Sequence, residues 1–226
     1  MGIELSEADL FVLSHGHFDH GGGIPFFLER NAHAKLYIHK QAFNKYYVKR
    51  GNNEFFFIGI PENIRSNQRV VLTEGYVYID DELSLYSDVA QKEYYSTANR
   101  TLFREENGIT EEDRFMHEQN LIVSDNTHIT LIAGCAHRGI VNIMKRCREI
   151  KGRWPDVVIG GFHLYNPTWK QTENPKMIAA MGGFLKQTGA LFYTGHCTGE
   201  EAFLLLKKEL GERLRPLSTG SSFTIP

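Results

Sequence analysis

The sequence predicts an α/β fold in one domain, and three observations carry that expectation. Short apolar runs end in glycine-bearing loops and then give way to helical spacing, a unit that recurs along the chain. Four of those strand-to-helix junctions hold histidine. At 226 residues, 42% hydrophobic and 23% charged, the chain can bury one sizeable core and shows no sign of disorder or of a fibrous class.

The first unit is the apolar run of residues 10–13 (LFVL), which leads into a histidine cluster and three glycines. Pro25 then stands where a helix start tolerates it, ahead of FFLER. Residues 70–88 (VVLTEGYVYIDDELSLYSD) read as a meander of short strands with turn residues. Residues 88–120 are polar, carry aromatics and lack a clear period, so they are expected to form a lid or insertion in which Tyr94, Tyr95 and Phe115 are candidates to face a flat ring. A second unit runs from residues 129–133 (ITLIA) through GCAHRG to a helix in which Ile140, Ile143, Met144, Cys147 and Ile150 share a face until Gly152. The third passes from residues 157–159 (VVI) through GGFH to a helix over PKMIAAMGGFLKQTG. The fourth goes from residues 191–194 (LFYT) to GHC, where Thr198 and Glu201 predict a capping box for a helix that stops at Gly211.

Composition excludes several classes of function. A net charge of -2 gives no footprint for nucleic acid or an anionic membrane, so a small-molecule substrate is the expected partner. The opening residues lack the basic and long apolar regions of a secretory signal and no run is long enough to span a bilayer, so a cytoplasmic location is expected. Cys135, Cys147 and Cys197 are odd in number and form no C-x-x-C pair, which argues for reduced thiols. No G-x-x-x-x-G-K-[ST] run is present, so the glycines beside the histidines serve tight turns rather than a phosphate cradle.

The segment LSHGHFDHGGG places His15, His17, Asp19 and His20 within six residues, where composition alone would put well under one histidine. In open α/β sheets ligands gather at the carboxyl ends of strands, so this cluster can meet His137, His163 and His196 without being near them in sequence. Neutral imidazole suits zinc, iron, copper or nickel, and an added carboxylate widens the choice toward manganese. One or two divalent transition-metal ions are therefore expected, zinc first, with iron or manganese as the other candidates. His33, His39, His117 and His128 stand in ordinary polar or strand contexts, and Cys147 falls on an apolar helix face.

HGHFDH resembles the H-x-H-x-D-H signature of the metallo-β-lactamase superfamily. Together with GCAHRGIVNI, GGFHL and GHCTG it is similar to the branch named for 7,8-dihydropterin-6-yl-methyl-4-(β-D-ribofuranosyl)aminobenzene 5′-phosphate synthase. The resemblance implies an αββα sandwich with a dinuclear centre, in which His15, His17 and His137 bind one ion and Asp19, His20 and His196 the other. It further implies a bridging aspartate in a G-D context, which this chain lacks, and Cys135 or His163 is a candidate for that region as a metal or substrate contact. Against that branch the signature stands close to the start, so the sandwich is expected without its first strands, their edge covered by a partner, a second copy or neighbouring elements. The activity implied is that of a metallo-hydrolase using a metal-bound hydroxide on an ester, phosphoester or related substrate, with Asp19 orienting the water. Two alternatives stand beside it: a transferase joining a dihydropterin diphosphate to a ribofuranosyl-aminobenzene phosphate, and a homologue that binds metal without turnover.

Overall fold

The computed structural model describes residues 4–125 and 127–225. β1 (Leu10–Val12) is followed by two short helices, α1 (Phe18–Gly21) and α2 (Ile24–Arg30), before the chain returns as β2 (Lys35–His39) parallel to β1. A parallel return needs a crossover that also covers the sheet, and α2 supplies it. Its Ile24 and Phe27 bury against Leu36, Ile38 and Leu13. β3 (Lys45–Arg50) and β4 (Glu54–Phe57) form an antiparallel pair, after which β5 (Val70–Thr73) joins β2 in parallel and completes a three-stranded sheet of order β1-β2-β5.

The second half builds a larger sheet. β6 (Tyr76–Tyr78) and β7 (Leu83–Tyr86) make a hairpin at its edge, and β8 (Leu102–Glu106) and β9 (Ile109–Glu112) leave it to join β3 and β4 in a separate four-stranded sheet. β10 (Asn120–Ser124) and β11 (Ile129–Ile132) pair antiparallel, and α3 (Ile140–Lys151) then carries the chain to β12 (Val157–Ile159), parallel to β11. The small ribbon of β13 (Tyr165–Asn166) and β14 (Gln171–Thr172) precedes α4 (Pro175–Thr188), β15 (Leu191–Thr194), α5 (Glu200–Leu210) and β16 (Leu214–Pro216). The resulting sheet has the order β16-β15-β12-β11-β10-β7-β6. Among the described residues no helix is long and apolar enough to cross a membrane.

Local chemistry accounts for the helix ends. α3 stops where Gly152 takes a left-handed conformation, α4 opens on an Asn174 side chain that accepts from the Lys176 amide and has Pro175 in its first turn, and α4 stops at left-handed Gly189. Ile140, Ile143, Met144 and Cys147 of α3, Ile178, Met181 and Leu185 of α4, and Ala202 and Leu206 of α5 pack with Leu131, Val158 and Phe192 in one core. A separate core lies under the three-stranded sheet. Gln119 links the two halves: its amide donates to the Ser14 carbonyl (2.8 Å), its side-chain nitrogen to the carbonyls of Leu13 (2.8 Å) and Tyr37 (3.0 Å), and its side-chain oxygen accepts from the Thr73 hydroxyl (2.6 Å).

Three local expectations are corrected. Residues 70–88 are not one meander, because β5 leaves to pair with β2 in parallel while only β6 and β7 form the hairpin. Within residues 88–120 the strands β8 and β9 add to β3, so the segment contributes half of a sheet where no period was visible. The Thr198–Glu201 capping box does not form; Gly199 stands at the N-cap, and the Thr198 hydroxyl bonds the Thr194 hydroxyl (2.6 Å) and accepts from the Phe162 amide (3.0 Å). Tertiary partners outcompete the local cap.

Phe192 is fully buried in the larger core. Phe192→Ala is expected to lower unfolding free energy by about 3–5 kcal/mol, read from urea denaturation with an unchanged slope.

Candidate metal centre

All four histidine-bearing junctions lie at the carboxyl ends of strands. His15 follows β1, His17 caps α1, and Asp19 and His20 stand within that helix. Cys135 and His137 lie between β11 and α3, His163 follows β12, and His196 and Cys197 follow β15. Because β11, β12 and β15 run parallel, their ends present these side chains on one side. The ring centroid of His15 is 4.7 Å from that of His17, 4.1 Å from His20 and 4.9 Å from His137, and the His20 and His196 centroids are 5.2 Å apart.

The backbone is bent to achieve this. Ala136, His163 and His196 hold φ values of +53°, +47° and +52°, a left-handed region that side-chain-bearing residues seldom adopt. Such conformations persist where surrounding contacts enforce them and cluster at functional sites. Gly16 has no such freedom to give up, since a Cβ there would run into the Ala42 carbonyl, and its amide donates to His117 Nδ1 (2.8 Å).

Hydrogen bonds at the far nitrogens orient the rings. Ser14 Oγ meets His15 Nδ1 at 3.0 Å, and Asn99 Oδ1 accepts from His137 Nδ1 at 2.9 Å while its amide nitrogen donates to the His137 carbonyl at 2.8 Å. The lone pair of His137 Nε2 therefore faces the site, and His15 Nε2 is turned toward it. Glu118, fully buried, accepts from the amides of His137 (2.7 Å) and Arg138 (3.0 Å), and Phe115 stacks flat on His137 at 4.4 Å. His15 Nε2, His17 Nε2, His137 Nε2 and both nitrogens of His163 are buried with no hydrogen-bond partner. An unsatisfied buried polar atom costs about 1–3 kcal/mol, so this concentration in one place fits a cation that the lone pairs would share.

The sets of donor atoms agree with that reading. Within 4.8 Å of one another lie those of His15, Cys135 and His137; of His20, Cys135 and His196; and of Cys135, His163 and Cys197. Asp19 Oδ2 stands 3.5 Å from His20 Nε2 and 3.3 Å from His196 Nε2. A fourth group joins the donor atoms of His17, Asp113 and His117. The six side chains expected as ligands are thus neighbours, His17 through its ring beside His15 and Asp19 through His20 and His196, and Cys135 and His163 stand next to them. The centre forms the floor of a cavity of about 510 Å³ whose walls include Val48, Ile58 and Leu102, with Arg50 also on its lining.

Asp113 and His117 belong to the surroundings of the site, and no local spacing in the sequence marks them. His117 donates from Nε2 to Asp113 Oδ2 (2.9 Å) and accepts at Nδ1, so both of its nitrogens are committed, and Tyr46 lies over its ring at 4.0 Å. Asp113 Oδ2 is also 3.9 Å from His17 Nε2. Asn99 and Glu118 act only through the tertiary structure. Phe115 supports His137 from behind instead of lining the cavity, while Tyr94 packs toward Phe184. His33 and His128 are exposed, His39 caps a short turn through the Gln41 amide, and none of the three joins the centre.

Electrostatics favour neutral imidazoles and an ionised carboxylate. Burial, followed by the neighbouring imidazoles, pushes His15 and His137 well below the ordinary histidine range, and burial takes His17 down to about 3. At Asp19 burial works upward, but the hydrogen bond with His196 and the charges of His20 and His17 outweigh it and hold the carboxyl at about 2. That same hydrogen bond raises His196.

Two outcomes follow from this arrangement. For His17 the unfolded chain binds the extra proton between pH 3 and 6.5, so stability of the metal-free protein is complete above about 6.5 and declines as the pH falls through that window. Urea denaturation in chelator should show a slope of up to about 1.4 kcal/mol per pH unit for each such histidine, and His17→Gln should flatten it by one such increment. Asn99→Ala, which releases the His137 ring, should weaken metal binding by about 10–100-fold in calorimetric titration while the fold persists.

Comparisons with known proteins agree with the geometry. The chain is 26% identical over 231 aligned residues to a 7,8-dihydropterin-6-methyl-4-(β-D-ribofuranosyl)-aminobenzene-5′-phosphate synthase of Methanocaldococcus jannaschii, covering 97% of this chain and 76% of the relative. A second protein of that organism, uncharacterized, is 28% identical and covers 88% of this chain and 73% of its own length. The crystal structure of a metal-dependent hydrolase of the β-lactamase superfamily superposes with a TM-score of 0.77 at 25% identity, over 95% of this chain and 78% of the other. An isothiocyanate hydrolase from Delia radicum gut bacteria shares the fold at a TM-score of 0.57 and 12% identity, over 99% of this chain and 80% of the other. Residues 2–117 match the family model of the metallo-β-lactamase superfamily, and with its signature histidines gathered at the ends of the strands, this chain belongs to that superfamily.

Proposed function

We propose that this protein is a metal-dependent hydrolase acting on a small-molecule ester, phosphoester or related substrate. The observation that carries the proposal is the group of buried, unpartnered imidazole nitrogens on the floor of an apolar-walled cavity. His15, His17 and His137 would hold one ion, and Asp19, His20 and His196 a second, with zinc the first expectation. Divalent ions bound there supply a Lewis acid and lower the pKa of a water so that it attacks at neutral pH.

The chain's own residues do the rest. Asp19 stays ionised and half-exposed beside the cavity, where one carboxylate oxygen can accept a hydrogen bond from the attacking water and hold its lone pair toward the substrate. His196, half-buried at the mouth, keeps that carboxylate in place through its Nε2. Val48, Ile58 and Leu102 exclude bulk water, which strengthens every charge interaction on the floor. Exposed Phe18, between the second histidine and the aspartate of the signature, gives the incoming substrate an apolar edge.

A second reading is supported by the similarity to the synthase, which spans nearly the whole chain. In it the same centre would serve a transferase joining a dihydropterin diphosphate to a ribofuranosyl-aminobenzene phosphate.

Metal analysis of the purified protein beside assays on a bis-aryl phosphodiester, a lactone and a thioester tests these readings. Two equivalents of metal and turnover of at least one probe are expected, with activity lost in chelator and restored by zinc. Asp19→Asn should lower kcat by about 100-fold or more with the ion held by His15, His17 and His137 still bound. Diphosphate release from the pterin pair without hydrolysis of any probe favours the transferase, and bound metal without either activity leaves a non-catalytic metal-binding protein.

A further inference from the structure

One sulfur belongs to a donor group that holds ligands of the first ion and to another that holds ligands of the second. Cys135 Sγ lies within 4.8 Å of the donor nitrogens of His15 and His137, and equally within 4.8 Å of those of His20 and His196. Ligands at about 2.0–2.3 Å from one tetrahedral ion stand roughly 3.5 Å from each other, so both sets are within small side-chain adjustments of ligation. Cys135 is buried, and its sulfur already meets His20 Nε2 at 3.1 Å. Among the described residues no carboxylate oxygen falls in either group, although Asp19 stands beside His20 and His196. Asp113 is committed to the Phe115 amide and His117, and Glu118 to the amides of His137 and Arg138.

The loop is built to hold the sulfur there. Left-handed Ala136 separates Cys135 from His137 so that both donor atoms reach the same place, and the Glu118 carboxylate pins the amides that follow. Cys197 is placed differently. Its sulfur points to the Cys135 carbonyl at 3.6 Å, is wedged against Gly161, where a Cβ would come within 2.5 Å, and shares only the group with His163.

We propose that the Cys135 thiolate is the ligand shared by the two metal positions, standing where a bridging carboxylate would otherwise be. The inference rests on the metal-dependent reading above. On loading, the thiol loses its proton to solvent and its sulfur forms one bond to each ion, with no change in oxidation state. A thiolate bridge makes the centre softer than an all-nitrogen and carboxylate one, so zinc or cobalt is preferred to manganese or magnesium.

Cobalt titration of the full chain tests the proposal by absorption, independently of activity. Wild-type protein and Cys197→Ser should each take up cobalt with an intense thiolate-to-cobalt charge-transfer band in the near ultraviolet, and Cys135→Ser should bind cobalt through its histidines with that band lost. X-ray absorption of the zinc-loaded wild type and of Cys197→Ser, which does not depend on the folding of the Cys135 variant, should show a sulfur neighbour at about 2.3 Å. Cobalt bound without the band, a band that survives in Cys135→Ser or vanishes in Cys197→Ser, or zinc bound without a sulfur shell overturns the thiolate bridge while leaving the metal centre standing. Failure of the wild type to bind either metal overturns the metal-dependent reading and the bridge together.

Discussion

The desolvation of imidazole governs this structure. Five histidine nitrogens are withdrawn from water with no hydrogen-bond partner among the described residues, and each such loss costs about 1–3 kcal/mol. A chain tolerates that cost only if the surrounding structure prevents the rings from turning back to water or to one another. Ser14 and Asn99 hold the far nitrogens of His15 and His137, and Phe115 supports the His137 ring from below. The same burial keeps the rings neutral, which is the state that offers a lone pair to a cation.

The architecture makes this placement affordable in conformational terms. Parallel strands end together, so β11, β12 and β15 each deliver one or two site residues within a few positions of the last sheet hydrogen bond. The left-handed residues at 136, 163 and 196 lie in those loops, where helices α3, α4 and α5 anchor the chain on the far side. The signature arrives from the other sheet, and Gln119 ties the two halves within a few residues of His15. Strain is thereby confined to loops flanked by rigid elements.

The four-stranded sheet has a different role from the other two. Val48 and Arg50 of β3 and Leu102 of β8 reach the cavity, while Phe55, Phe56 and Phe57 of β4 stay exposed on the strand at its edge. The floor of the cavity is therefore set by loops of the three- and seven-stranded sheets and its wall by the four-stranded one. Relatives that match this chain over most of its length bear different names, a synthase and a hydrolase, which accords with a fold that hosts more than one chemistry.

Much of the centre was legible along the chain. Histidines crowded into one turn have no packing rationale, and glycine-bounded apolar runs mark strands whose ends can converge, so metal-binding candidates and an α/β class follow from spacing, while the αββα layering and the division of ligands between two ions came from the resemblance to the metallo-β-lactamase superfamily. Residue order also predicted α3 and α4 with their glycine stops, because helical period and left-handed glycine are local properties. The tertiary structure decided what depends on distant partners: Thr198 abandoned its local cap for Thr194 and Phe162, β8 paired with β3 and carried β9 with it, and Asp113, His117, Asn99 and Glu118 entered the surroundings of the site through contacts many residues away. Side-chain hydrogen bonds and sheet pairing are satisfied by whatever the fold brings near, so no local pattern encodes them, whereas the period of an element and the donor chemistry of a residue are properties the chain carries before it folds.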